Sequence, residues 1–250
     1  MNELLWINPV YREALREAGF ASLPDFFSSG RTVRAREGKE NVVADLVIDG
    51  GTVPVFLKRH AASRRPAGIR EWENLKALSA LGVPVPEAVA AGSGPRGSFL
   101  MTKGIEDGVP LDGFLAGRFR FPVAKKDLPL KRKLLRDAAG LTRTLHGAGL
   151  CHRDLYLCHL FVAPREDHRL ILIDLQRVGR AFPFRARWIV KDLAALHYSA
   201  PPSVASRADR FRFLKAYLGT PRLDGEARAL ARKVERKARR IRRHEDRKSR

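Results

Sequence analysis

The sequence predicts an α+β fold of two lobes, and three observations predict it. The runs "TVRAR", "VVADLVIDGG" and "TVPVFLKRH" follow one another before residue 61, separated by "EGKEN" and "DGG". Such β-branched runs between turn signals are consecutive antiparallel strands. Beyond residue 104 the apolar spacing changes to that of helices. The length of 250 residues suffices for two small lobes with buried cores and no covalent staples. We therefore expect an antiparallel-sheet lobe over residues 1–103 and a mostly helical lobe over 104–250, with a cleft between them.

The elements follow in order. "NPVYREALREAG" is a short helix: Asn8 caps it, Pro9 suits its first position and Gly19 ends it. After the three strands, "IREWENLKALSALG" turns helical, with Ile69, Trp72, Leu75 and Leu78 apolar and Gly82 as its stop. "SFLMTKG" is a further strand leading into a Gly-rich connection. In the second lobe, "LKRKLLRDAAGLTRTLHGAG" places Leu134, Ala138, Leu141 and Leu145 at helical spacing. "LFVA" and "LILID" form a hairpin about "PREDHR". Helices follow over "RWIVKDLAALHYSA" and "SVASRADRFRFLKAYLG". The last, "EARALARKVERKARRIRRHEDRKSR", has only a thin apolar line of Leu230, Val234, Ala238 and Ile241.

The formal charge of +21 is far outside the ordinary and should draw an anionic partner. Two cysteines, Cys151 and Cys158, are too few for a disulfide framework. The start "MNELLWINPVYRE" has no basic segment before an apolar run, and no stretch approaches the ~20 apolar residues of a spanning helix. These features lead us to expect a cytoplasmic protein.

The chemistry is carried by four ionic residues in a fixed order. Phosphoryl transfer from ATP needs a lysine on the phosphates, a carboxylate on that lysine, a carboxylate at the attacking hydroxyl and another for magnesium. Lys58 ends the third strand in "VFLK", close to the V-A-I-K form. Glu71 lies thirteen residues later, on the helix face shared with Leu75 and Leu78. A carboxylate facing inward requires a cation, and Lys58 is its natural partner. "HRDLYLCH" places Asp154 where a kinase has its catalytic base, and "ILIDLQ" places Asp174 where D-F-G has its metal aspartate. This is the protein-kinase order, and it makes the expected bilobal fold protein-kinase-like. The phosphate loop departs from it: "EGKEN" offers one glycine, Gly38, in place of G-x-G-x-x-G. No G-x-x-x-x-G-K-[ST] occurs, which excludes a P-loop enzyme.

"HRDLYLCHLF", "LILIDLQR" and "RWIVKDLAALHYS" together resemble the lipopolysaccharide core kinase family, over about residues 30 to 220. Members are bacterial enzymes of kinase-like fold that phosphorylate heptose or Kdo sugars of the inner core. The resemblance implies Lys58 and Glu71 as the ATP-anchoring pair, Asp154 as base, and His159 and Asp174 near the metal. It matches Asp192 to the acid that braces the catalytic loop from a buried helix. Gln176 departs from the basic or aromatic residue usual after "IDL".

Magnesium prefers hard oxygen ligands, so a neutral imidazole at 159 substitutes poorly for an asparagine amide. Either His159 donates a hydrogen bond to phosphate, which we favour, or the second metal is absent or is a softer ion such as manganese. A zinc site from Cys151, His152, Cys158 and His159 is disfavoured, because those residues straddle a tight loop at spacings unusual for zinc. The cysteines read as packing groups and His152 as a structural histidine of the loop.

Asp192 comes only eighteen positions after Asp174, with no A-P-E and no hydroxyl residue in the intervening "LQRVGRAFPFRARWIVK". A compact acceptor is favoured over a peptide. Arg177, Arg180, Arg185 and Arg187 lie in this interval and are candidates for binding sugar carboxylates or phosphates; the alternative is a solvated basic face. Residues 228–250 hold twelve Lys or Arg against three acids. A basic helix of this kind is either solvated or partly disordered, or it meets an anionic leaflet, where each basic residue contributes about 1 kcal/mol and several together hold the protein at a membrane. Nucleic acid is not expected, since no reader motif accompanies the charge.

The expected function is therefore transfer from ATP, with Mg2+ or Mn2+, to a heptose or Kdo hydroxyl of lipid A-linked core, at the inner face of the inner membrane. Lys58, Gly38, Thr102 and Gly104 would contact the nucleotide, the last two through backbone groups facing adenine. The alternatives are a kinase of another small molecule or of protein, and a catalytically weak kinase-like protein binding RNA or membrane through its basic surface.

Overall fold

In the computed structural model of the chain, residues 3–119 and 122–248 are described. Their contacts divide the chain into two compact units. The first runs to Ala80 and adds Val85–Ile105 and Asp174–Gln176; the second comprises Leu81–Pro84, Glu106–Ile173 and the chain from Arg177. Neither unit is one continuous segment.

The first unit contains β1 (Leu4–Ile7), α1 (Arg12–Glu17), β2 (Arg31–Arg36), β3 (Lys39–Ile48), β4 (Gly51–His60), α2 (Ala67–Ala80), β5 (Ala88–Gly94) and β6 (Gly97–Lys103). Among the described residues these strands form one antiparallel sheet in the order β1-β5-β6-β4-β3-β2. Asn8 caps the turn before α1 as its position predicts, its side chain accepting from the Val10 N–H at 3.2 Å. Alternation along β4 decides what each face does. Val55 and Leu57 enter a core with Leu15, Phe20, Phe26, Val42, Leu46 and Phe99, in which the Phe26 and Phe99 rings stack at 4.4 Å. Phe56 and Lys58 take the opposite face.

Strands β1 and β5 were not expected from the sequence. β5 reads "AVAAGSG", small residues of low strand propensity, yet every one of them is buried. The reason is packing: a Cβ on Gly92 would lie 2.5 Å from the Phe99 ring and 2.8 Å from the Leu4 carbonyl oxygen. Only a strand without bulk fits between β1 and that ring.

The second unit contains β7 (Val109–Pro110), α3 (Leu111–Arg118), α4 (Leu128–Gly147), β8 (Leu150–Cys151), β9 (Leu160–Ala163), β10 (Arg169–Leu172), β11 (Gly179–Arg180), α5 (Arg185–Ser199), α6 (Arg207–Leu218) and α7 (Gly225–Lys248). The expected hairpin is β9–β10, extended by β7, while β8 pairs with β11. Leu134, Ala138, Leu141 and Leu145 form the buried face of α4. Helix α6 starts at a capping box in which Ser206 and Asp209 exchange hydrogen bonds. The thin apolar line of α7 is a packing seam. Val234 and Ala238 are buried against Leu193, Ala194, Leu214 and Tyr217, flanked by the partly buried Leu230 and Ile241. No described helix is long and apolar enough to cross a membrane.

Helix α2 lies so close to β6 that a Cβ on Gly68 would stand 2.6–2.7 Å from three backbone atoms of Phe99. Backbone cannot yield as a side chain can. Gly68→Ala should therefore destabilise the chain by about 1–3 kcal/mol, seen as a fall of several degrees in the circular-dichroism melting temperature; an unchanged Tm would contradict the close approach.

Candidate active site

Three ionic residues meet in the first unit. Lys58 Nζ donates to Glu71 Oε1 at 2.7 Å and to Asp174 Oδ1 at 3.2 Å. Glu71 is 3% exposed, on the α2 face that carries Leu75 and Leu78, both buried. Burial would push the lysine ammonium down, but Glu71 and Asp174 together outweigh it and hold the Lys58 pKa above its ordinary value. Helix α2 also grips the segment containing Asp174. The Leu175 N–H donates to Glu71 Oε1 at 3.1 Å, and the Asn74 amide donates to the Leu175 carbonyl at 2.8 Å. Asp174 itself adopts a left-handed backbone, φ 59°, a conformation that aspartate tolerates better than most residues.

The second unit holds the loop between β8 and β9. Buried Asp192 on α5 accepts the His152 N–H and the Arg153 N–H, each at 2.8 Å, one on each oxygen. His146 Nε2 lies 3.3 Å from the same carboxylate, and its Nδ1 lies 2.9 Å from the Tyr217 hydroxyl. Arg153 has φ 67°, which costs an ordinary side chain about 1–3 kcal/mol. Its N–H is fixed by Asp192 and its carbonyl accepts from Lys191 Nζ. His152 is fully buried and donates from Nε2 to the Ile173 carbonyl at 3.1 Å. Asp154, which follows Arg153, is partly exposed, with Arg177 Nη1 3.7 Å from its Oδ1.

Several expectations change. His159 Nδ1 donates to the Asp154 carbonyl at 2.7 Å. In the neutral ring that leaves Nε2 as a lone-pair acceptor, the tautomer of a metal-binding histidine and not of a phosphate donor. A hydrogen bond from His159 to phosphate would have to come from Nε2, which carries a proton alongside Nδ1 only in the imidazolium ring. The Gly104 N–H is committed to the Pro54 carbonyl at 2.7 Å, so it cannot donate to a base. Gly38 occupies a tight turn at φ 69°, where its carbonyl accepts the Ala61 N–H at 3.0 Å; its glycine character serves the turn. Among the arginines, Arg177 faces Asp154, whereas Arg185 donates to the His146 carbonyl at 3.0 Å, satisfying the end of α4. Arg180 gives its carbonyl to Arg153 Nη2 at 2.9 Å, and Arg187 lies 5.8 Å from the Trp188 ring centroid.

The buried trio His146, Cys151 and Asp192 brings its ligand atoms within 4.8 Å of one another. Metal binding needs a thiolate, and burial, with Asp192 beside it, pushes the Cys151 thiol up to about 12. Both oxygens of Asp192 are already engaged, so the cluster is a hydrogen-bonded core.

Three residues were missed. Phe56 shares the Lys58 face of β4, is 49% exposed, and pairs in register with Val43 and Thr102. It offers a flat apolar platform beside the ionic cluster, and an aromatic two residues before the lysine was the available signal. Lys191 stands next to Asp192 in "VKDLAAL", and burial, then Arg177, hold its ammonium below the usual lysine range. Asn74 follows Glu71 on α2 with no sequence cue.

An apolar cavity of about 940 Å³ also lies in the second unit, lined by Leu134, Leu193, Leu196, Leu214, Leu223 and Val234, among others.

A model of the lipopolysaccharide kinase (Kdo/WaaP) family matches residues 51–217. The lipopolysaccharide core heptose(I) kinase WaaP of Escherichia coli is 30% identical, the match covering 80% of this chain and 80% of that one. The solved structure of WaaP in complex with acyl carrier protein aligns with a TM-score of 0.74 at 30% identity, over 95% of this chain and 99% of that one. An aminoglycoside-3'-phosphotransferase of type VIII aligns with a TM-score of 0.52 at 21% identity, over 77% of this chain and 87% of that one. That last likeness is one of fold, and the protein-kinase-like α+β fold expected from the motif order is the fold found.

Because Glu71 is buried and Lys58 answers it, Lys58→Met should cost on the order of 2 kcal/mol in urea unfolding, less than a fully buried pair because the lysine is partly exposed. Lys58→Met combined with Glu71→Gln should recover much of that loss. A double variant no more stable than the single one would refute the pairing.

Proposed function

The chain belongs to the lipopolysaccharide kinase (Kdo/WaaP) family, and we propose that it transfers the γ-phosphoryl group of ATP to a sugar hydroxyl of the lipopolysaccharide inner core, a heptose in preference to Kdo. The chain is a phosphotransferase by its relatives. The sugar is carried over from the heptose kinases, and the chemistry from the Lys58–Glu71–Asp174 ion chain, which is the single observation that supports it most.

Each residue then has a physical task. Lys58, aimed by Glu71, pairs with nucleotide phosphates. Phe56 offers adenine an apolar face, while Thr102 and the Gly104 carbonyl supply the adjacent backbone. Asp154 receives the acceptor hydroxyl through its carboxylate and takes its proton as transfer proceeds. Arg177, 3.7 Å from that carboxylate, can hold an anionic group on the sugar. Asp192 and Lys191 fix the turn at Arg153 and so the direction of the next residue. Asp174 is the carboxylate suited to Mg2+, and His159 Nε2 has the tautomer to reach a softer ion such as Mn2+. A divalent ion on Asp174 would neutralise phosphate charge.

Two partners follow. A relative is solved with acyl carrier protein; we carry that partner over, with the apolar cavity as the place for its acyl chain. Helix α7 is strongly basic outside its apolar seam, which suits an anionic membrane face where a lipid-linked sugar sits.

Asp154→Ala should reduce phosphate transfer by at least a thousandfold while calorimetric ATP affinity stays within about twofold. Retained turnover removes Asp154 as the base. Labelled phosphate should enter purified core oligosaccharide and neither generic protein nor aminoglycoside; labelling of either of those instead would overturn the sugar assignment.

A further inference from the structure

The turn between β2 and β3 poses a problem for a phosphate site. It is too tight and too poor in glycine to wrap anions in backbone N–H groups, and Gly38 is there for its positive φ of 69°. A Cβ at Gly38 would meet only the Ala61 Cβ, at 3.8 Å. No close backbone approach explains the glycine, whose freedom serves the positive φ of the turn.

The next residue can supply a different one. Lys39 opens β3, and in the antiparallel register it stands opposite His60, while Asn41 stands opposite Lys58. Directly opposed residues share a sheet face. Lys39, Asn41, Lys58 and His60 therefore form a polar square on the face that carries the ion chain. Lys39 Nζ lies 3.9 Å from Asp174 Oδ1, the same oxygen that Lys58 approaches to 3.2 Å. At that distance the ion pair is at its outer limit. An ammonium has three donors, and the Lys39 side chain is 31% exposed.

The other two corners of the square are informative. Asn41 Oδ1 and His60 Nε2 are buried and have no hydrogen-bond partner. Asn41 Oδ1 can only accept, so it cannot meet a phosphate oxygen, and the binding of an anion on this face falls to the two lysines. His60 is kept neutral, its pKa lowered first by burial and further by Lys39 and Lys58 against the pull of Glu71 and Asp174. The positive charge of this face thus resides in the two lysines.

We propose that Lys39 is a second phosphate-binding lysine, gripping the terminal phosphates of the nucleotide from the β2–β3 turn in place of a glycine-rich backbone cradle. The inference rests on the phosphotransferase function proposed above. A cation on a rigid strand does by charge what several amides do by direction, and needs no glycines near it.

Calorimetric titration of the full chain with AMP and with a non-hydrolysable ATP analogue, in magnesium, separates the outcomes. Lys39→Met should weaken the ATP analogue about tenfold, the loss of one charge-assisted contact, leave AMP within about twofold, and keep the wild-type melting temperature. Lys39→Arg should restore most of the affinity. If Lys39→Met binds the analogue as the wild type does while Lys58→Met does not, Lys39 is a surface charge and the phosphotransferase assignment survives without it. If AMP and the analogue weaken equally, the effect is not on terminal phosphates and the proposal fails. A wild-type chain that binds neither nucleotide overturns both.

Discussion

A carboxylate almost without solvent exposure is tolerable only beside a cation, and Glu71 is that carboxylate. Its ion pair with Lys58 ties the third residue from the end of β4 to α2. The same oxygen accepts the Leu175 N–H, so one atom organises a strand, a helix and a distant segment. Its other oxygen is buried without a partner, leaving the organisation wholly dependent on the paired one. The charge on Lys58 is secured by this arrangement against the burial that would otherwise discharge it.

The second unit solves a related problem with a different acid. The turn at Arg153 is unfavourable for any residue with a Cβ, and it is held from both sides of the peptide: Asp192 takes the amide and Lys191 the carbonyl. Both come from the first half of α5, adjacent in sequence. His146 and Tyr217 extend the brace into α4 and α6. A strained turn fixed this way presents Asp154 in one direction without placing Asp154 itself in the core.

Much of this was legible in the chain before any coordinate. Helix and strand periods located α2, α4, β3 and β4 because each has one buried face and one exposed face. Glu71 could be paired with Lys58 because it falls on the apolar face of its helix. The tail seam of Leu230, Val234, Ala238 and Ile241 was visible as a line, though not what it packed against. The misses share a physical cause. Strand β5 is made of small residues chosen by the Phe99 ring, a long-range fact invisible to local propensity. The commitments of the Gly104 N–H to the Pro54 carbonyl and of His159 Nδ1 to the Asp154 carbonyl likewise arise only in the folded chain. No sequence spacing encodes which carbonyl a nitrogen will meet.

Residues 174–176 sit with the first unit although the chain on either side of them belongs to the second. Two hydrogen bonds from α2 moor them there, one through Glu71 and one through Asn74. Lys58, by contrast, is fixed in β4 between β3 and β6. An axial shift of α2 would therefore carry Glu71 and the backbone at 175 past a stationary lysine, so the register of one helix decides whether the ion chain is closed or parted.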